Sequence, residues 1–145
     1  MIVAFLVFAV DLLIKRSIML FFAPAQSVPL IKGFLHLTYV QNTGVAFGLF
    51  RNQRPALILI GIIVCAVVVY FYTRTGKEDK LLRLSLAIIL GGSLGNLFDR
   101  VFYGYVIDYI DFRFFPVFNL ADIAINLGVF LVLLDAALKR SECTR

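Results

Sequence analysis

The chain has 145 residues, of which 61% are hydrophobic and only 16% charged, with a mean hydropathy of +0.95; a water-soluble domain of this size carries about 25% charged residues. Its net charge of +5 does not indicate nucleic acid, because Lys and Arg are scattered singly and in pairs rather than gathered into a stripe with interleaved aromatics. Two cysteines, Cys65 in an apolar run and Cys143 in the tail, make neither a disulfide framework nor a metal-ligand pattern, so no metal or cofactor is expected.

An apolar helix needs about 20 residues to cross a hydrocarbon layer roughly 30 Å thick, and four segments approach that length. The first runs from Met1 to about Phe22 and is interrupted by Asp11, Lys15 and Arg16. Asp11 and Lys15 stand four residues apart, acid before base, and so share one helical face as a self-neutralising structural pair turned into the bundle. Ala23-Pro24-Ala25 has the small-x-small form of a leader cleavage site. A basic start is missing, however, and charges break the apolar stretch, so the segment is taken as a retained span.

Pro24, Pro29 and Gly33 punctuate the next stretch, and Phe34 to Val40 is β-branched and aromatic with partial alternation. With turn or bulge signals at Gly44 and Gly48, this predicts a small sheet on the outer membrane surface. His36, the single histidine, lies here with no nucleophile motif and reads as a surface or packed residue. The second span covers Pro55 to about Tyr72. A polar turn, Thr73 to Lys80, comes after it with three basic residues, Arg74, Lys77 and Lys80.

The third span, Leu81 to Phe98, is short and borrows flanking residues. Gly91 and Gly95 give it the spacing that lets a neighbouring helix approach closely. Asn96, Asp99 and Arg100 project near its outer end. Asp99 with Arg100 reads as an interfacial pair closing the helix, while Arg100 and Asn96 are placed to orient something else. The fourth span runs from Leu120 to Leu138, with Asn119 as cap and Asp122 in the first turn, where its charge suits the helix dipole. Asp135 lies about 20 Å along that helix from Asp122 and is a helix-end residue.

The basic turn and the tail with Lys139, Arg140 and Arg145 place both termini inside, with the 23–54 and 99–119 connections outside. Lys32, Arg51, Arg54, Arg100 and Arg113 then lie outside, and several of them need structural or catalytic duties. No internal repeat is visible, and residues 1–145 read as one membrane-embedded domain.

Asp108 precedes Asp122 by fourteen residues that include Pro116, enough chain to bring the two carboxyl groups face to face. Such a pair cannot comfortably ionise twice. One member keeps a proton while the other polarises a water for attack on a carbonyl. Asp111 is an alternative partner, and capping is an alternative duty for Asp122. There is no GxSxG, HExxH or Walker loop.

Four blocks together resemble the bacterial lipoprotein signal peptidases, signal peptidase II, over nearly the whole length. They are Asp11-Leu12-Leu13-Ile14-Lys15; Asn42-Thr43-Gly44-Val45-Ala46-Phe47; Gly92 through Asp111, with Asn96-Leu97-Phe98-Asp99-Arg100, Gly104, Val106 and Asp108; and Phe118-Asn119-Leu120-Ala121-Asp122 with Ile125 and Gly128. The resemblance implies an α-helical integral membrane protein with four transmembrane helices, an extracytoplasmic β-cradle and a periplasmic helix. It implies cleavage of diacylglyceryl-modified prolipoproteins before the lipidated cysteine, at the outer face of the bacterial cytoplasmic membrane, and inhibition by globomycin. It makes Asp108 and Asp122 the catalytic pair. Asn42, Gly92, Asn96, Arg100 and Asn119 then bind substrate or support the site, and Asp11 with Lys15 buttresses it. The chain departs from the family pattern at Leu12, often glutamine, and at Ile14, commonly a small hydroxyl residue. A proton-coupled transporter is the rival reading, because membrane acids also relay protons; a structural assembly subunit is a third. Paired repeats or broken helices, the usual marks of a transporter, are missing.

Overall fold

The structure is a computed structural model that describes residues 1–44 and 53–143. Four helices carry most of the chain: α1 (Ile2–Phe21), α2 (Arg54–Arg74), α3 (Lys80–Phe102) and α4 (Leu120–Cys143). Each covers the predicted span, and α3 gains its missing length by running past Phe98 to Phe102.

Helix α3 is the centre of the bundle and packs against the other three. Its glycines allow this. A side chain at Gly95 would collide with the Asp11 carboxylate of α1, and one at Gly92 would meet the Ala121 carbonyl and Ile125 of α4. Gly91 likewise lies against Ala4 and Val7, so the predicted small-residue face is the seam with α1. Apolar packing continues through Ala4, Val68, Leu86, Ala87, Ile89 and Leu90.

Three helices are long and apolar enough to cross a membrane among the described residues: α2, α3 and α4, with mean hydropathies of 2.6, 1.6 and 2.0. Helix α1, predicted as a span, differs from them by its charges. Asp11 and Lys15 are 0% and 1% exposed, whereas Ile2, Phe5, Leu6, Leu13, Leu20 and Phe21 face outward. Asp11 and Lys15 are therefore internal, and the outer face is apolar apart from Arg16 and Ser17.

Beside the bundle sits a three-stranded antiparallel sheet in the order β1 (Ser27–Ile31), β2 (Leu35–Asn42), β3 (Val106–Asp111). Of these, the sequence pattern predicts β2 alone. β1 folds back onto it through Gly33, whose φ of +75° suits a residue without a side chain. Strand β3 pairs with the far edge of β2, placing Asp108 opposite Val40 and Asp111 opposite His36. An irregularity between Leu37 and Val40 shifts that register. The sheet rests on α1 through Ile18, Tyr39, Ile107 and Tyr109. No further helix occurs among the described residues of the connections; Val45 to Phe47, Gly48 and Arg51 lie outside the described residues.

At the other end of the bundle Lys139 pairs with Asp135 and with Asp79, joining α4 to the turn before α3. Asp135, expected to end the helix, instead lies within it, because α4 continues past it to Cys143.

Candidate active site

A cavity of about 900 Å³ opens between the sheet and the ends of α3 and α4, and Asn42, Asn96, Arg100, Asp108, Phe118 and Asp122 are among its lining residues. The chain builds it from three directions. Asp108 comes from β3, Asp122 from the first turn of α4, and Asn96 with Arg100 from the last turns of α3.

Asn119 joins the two carboxylates. Its side-chain N–H donates to Asp108 Oδ1 at 2.6 Å, while its side-chain oxygen accepts the Asp122 backbone N–H at 2.9 Å. Asp122 Oδ2 accepts the Asn119 backbone N–H at 3.2 Å, completing a reciprocal cap, and Oδ1 accepts from Asn96 Nδ2 at 2.8 Å. Capping and a place in the cavity are thus compatible duties for Asp122. Asn42, at the end of β2, donates to Asp108 Oδ2 at 2.9 Å.

Asp108 is almost wholly buried. Burial first, and the neighbouring Asp122 charge second, push its carboxyl up to about 7, against the pull of Asn42 and Asn119. The carboxyl therefore gains and loses its proton near neutral pH rather than in the usual carboxylate range.

Behind this layer lies a second one. Lys15 Nζ contacts Asp11 Oδ2 at 2.8 Å, Asp99 Oδ2 at 2.8 Å and Asn96 Oδ1 at 3.0 Å, so all three of its N–H donors have acceptors. Asp11 Oδ1 accepts the Ala121 N–H at 3.0 Å, and Asp99 Oδ2 accepts the Ile107 N–H at 3.1 Å. The expected Asp11–Lys15 pair is present, but the expected Asp99–Arg100 pair is not. Successive helical residues point about 100° apart, which sends Asp99 inward to Lys15 and Arg100 into the cavity. Arg100 donates to the Gly44 carbonyl at 3.2 Å, and its buried Nε has no acceptor among the described residues.

The alternative partner, Asp111, lies outside the cavity. Three residues along β3 from Asp108, it turns to the other face and accepts from Thr38 at 2.7 Å and from the Arg113 guanidinium at 3.2 Å. Burial opposes its ionisation, but the Thr38 and Arg113 hydrogen bonds prevail and hold its carboxyl below the usual range. His36 meets Ser27 at 3.2 Å on the sheet and takes no part in the cavity. Among the described residues no group of three His, Cys, Asp or Glu side chains is placed to hold a metal ion.

Two contributors are invisible to a reading of the sequence. Tyr109 Oη accepts the Leu120 N–H at 3.1 Å, with no spacing signal to reveal it. Arg54, at the start of α2, donates to the carbonyls of Arg100 and Val101 at 2.9 and 2.8 Å. The one hint of Arg54 is its place among the basic residues assigned to the outer side.

Known proteins resemble this chain in sequence and in fold. A family profile described as Signal peptidase (SPase) II matches residues 3–138. The chain belongs to the signal peptidase II family. The lipoprotein signal peptidase of Moorella thermoacetica is 44% identical over 142 residues, spanning 98% of this chain and 95% of that protein. The lipoprotein signal peptidase of Desulfitobacterium hafniense is 46% identical over 130 residues, 89% of this chain and 86% of its own. A solved bacterial membrane enzyme superposes with a TM-score of 0.91 at 30% identity, covering 99% of this chain and 90% of that one. Membership of the signal peptidase II family makes this protein a protease, and its spanning-length helices make it a multi-pass membrane protein. The transporter reading has no support among these relatives.

Proposed function

We propose that this protein removes the signal peptide from prolipoproteins as an aspartic endopeptidase, cutting before a cysteine that already carries diacylglyceryl. The observation that carries the aspartic reading is that Asp108 and Asp122 line one cavity and are linked by the buried Asn119, which hydrogen-bonds to the Asp108 carboxyl and to the helix turn of Asp122. In this reading the two carboxyl groups share one proton, held by Asp108. Asp122, ionised, takes a proton from a water as its oxygen attacks the scissile carbonyl, and Asp108 donates its proton to the carbonyl oxygen. Collapse of the tetrahedral intermediate returns that proton to Asp108 and passes the proton on Asp122 to the leaving amine.

Asn42, Asn96, Arg100 and Asn119 hold substrate and carboxylates in place, with the Arg100 Nε, which has no acceptor among the described residues, available to a peptide carbonyl. Gly92 keeps α4 close to α3, and Asp11 with Lys15 braces Ala121 and Asn96 from behind. Val117, Ile123, Ile125 and Leu127 give the cavity an apolar side from which a lipidated peptide arrives without leaving the bilayer. Globomycin-type cyclic peptides would compete for the same space.

Four spans result if α1 crosses with the others, since Asp11 and Lys15 face inward and Arg16 is its one exposed charge. The Met1 ammonium donates to Tyr72 Oη at 3.0 Å, so the start of α1 lies at the same end as the basic turn and the Lys139–Asp79 pair. That end is assigned to the cytoplasm, which puts the dyad at the outer face of the bacterial cytoplasmic membrane. The reading tests directly: purified protein should cleave a diacylglyceryl-modified prolipoprotein, process the unmodified form poorly, and be blocked by globomycin. Equal turnover of both forms would point to a general peptidase, and cleavage of neither would defeat the proposal.

A further inference from the structure

Tyr109 stands next to Asp108 on β3, with its ring on the opposite face of the strand, buried beside Ile18, Tyr39 and Ile107. The first amides of a helix have no partner within it. In α4 each is claimed by a different group: Leu120 N–H by Tyr109 Oη, Ala121 N–H by Asp11, and Asp122 N–H by Asn119. Backbone hydrogen bonds of Phe118 with Tyr109 and Ile110 hold the residue before Asn119 against β3, and beyond it two side-chain links tie the turn that carries Asp122 to the strand that carries Asp108. One is the Asn119 to Asp108 hydrogen bond, whose acceptor is a carboxyl group that must change its proton and its partners during a turnover. The other, from Leu120 to Tyr109, touches no reacting atom. Burial holds the Tyr109 phenol above its ordinary value, so it stays a neutral acceptor in any pH range the enzyme meets.

We propose that Tyr109 is a positioning residue, its hydroxyl fixing the first turn of α4 against β3 so that Asp108 and Asp122 keep their separation while the hydrogen bonds of Asp108 rearrange. This rests on the dyad reading above. Two carboxyl groups that share a proton titrate in two steps whose spacing grows as they approach, so the pH profile of kcat reports their separation. The other charges around the pair are Arg100 from α3, and Lys15 with Asp11 and Asp99 behind Asn96.

Tyr109→Phe keeps the ring and deletes only the acceptor. With lipidated prolipoprotein it should lower kcat about tenfold, the worth of one hydrogen bond expressed at the transition state, with KM little changed. The two limbs of the pH profile of kcat should draw together. Leu120→Pro removes the donor instead, at a helix position where proline is tolerated. In that background Tyr109→Phe should alter neither kcat nor the profile further. A Tyr109→Phe enzyme with wild-type kcat and limbs, whatever its melting temperature, would overturn the inference, as would the same tenfold loss in the Leu120→Pro background. If Leu120→Pro does not fold, the profile of the single variant decides. Asp122→Asn separates the two levels. An active Asp122→Asn removes the dyad itself, whereas an inactive one beside a normal Tyr109→Phe removes only the role of Tyr109.

Discussion

Asn119 spends its side chain on both sides of the site, donating to Asp108 and accepting from the backbone of Asp122. The two carboxyl groups it joins are unequal, because Asp108 is buried and pushed up to about 7 while Asp122 is tied into a helix turn. Activity that needs the Asp108 proton should therefore fall on the alkaline side with a midpoint near 7, as seen in kcat/KM against pH. Stability tracks the same group. The folded carboxyl holds its proton more tightly than the unfolded one, at 3.8, so native protein binds the extra proton and stability falls as pH rises from about 4 through 7. Melting temperature in detergent should decline over that window, and Asp108→Asn should flatten the decline. An unchanged slope would mean that Asp108 is not the group responsible.

At the level of elements, the brace between α1 and α3 is the most exacting contact. Lys15 neutralises Asp11 and Asp99 in a site closed to water, and its removal leaves two buried carboxylates without a cation. Lys15→Met should cost about 3–5 kcal/mol of stability, measured by denaturation in detergent, whereas Arg16→Met on the exposed side of the same helix should cost little. Half of this brace is legible in the sequence, because Asp11 and Lys15 lie four apart on one helix. Asp99 is not, since no local spacing joins residue 99 to residue 15, and its sequence neighbour Arg100 offers a nearer partner. The helices are legible from apolar length. Strands β1 and β3 are not: β1 is five exposed residues, and β3 is held by its ladder to β2 rather than by a pattern of its own. The site residues are legible because amides and carboxylates beside apolar spans are costly there unless they bind one another or something else. The asparagine links between them require the fold.

For the molecule as a whole, the basic turn and the ion pairs of Lys139 lie at one end of the bundle and the carboxylate pair at the other. In a background without Cys65 and Cys143, a cysteine at Thr75 should react with an impermeant thiol reagent only after the membrane is opened. One at Gln26 should react in intact spheroplasts. Like behaviour of the two positions would contradict the orientation proposed for the four helices. The whole arrangement delivers a membrane-bound peptide to Asp108 and Asp122, and the most direct test is the turnover of lipidated prolipoprotein by Asp108→Asn and Asp122→Asn, each compared with its own melting temperature. Both amides keep the size of the acid they replace, and at Asp122 the lost first-turn charge is worth only about 0.3–1 kcal/mol. Each variant is expected to fold, to melt close to the parent, and to leave the substrate uncut. A folded Asp122→Asn protein that cleaves normally would make Asp122 a helix cap alone, and the aspartic mechanism would be wrong.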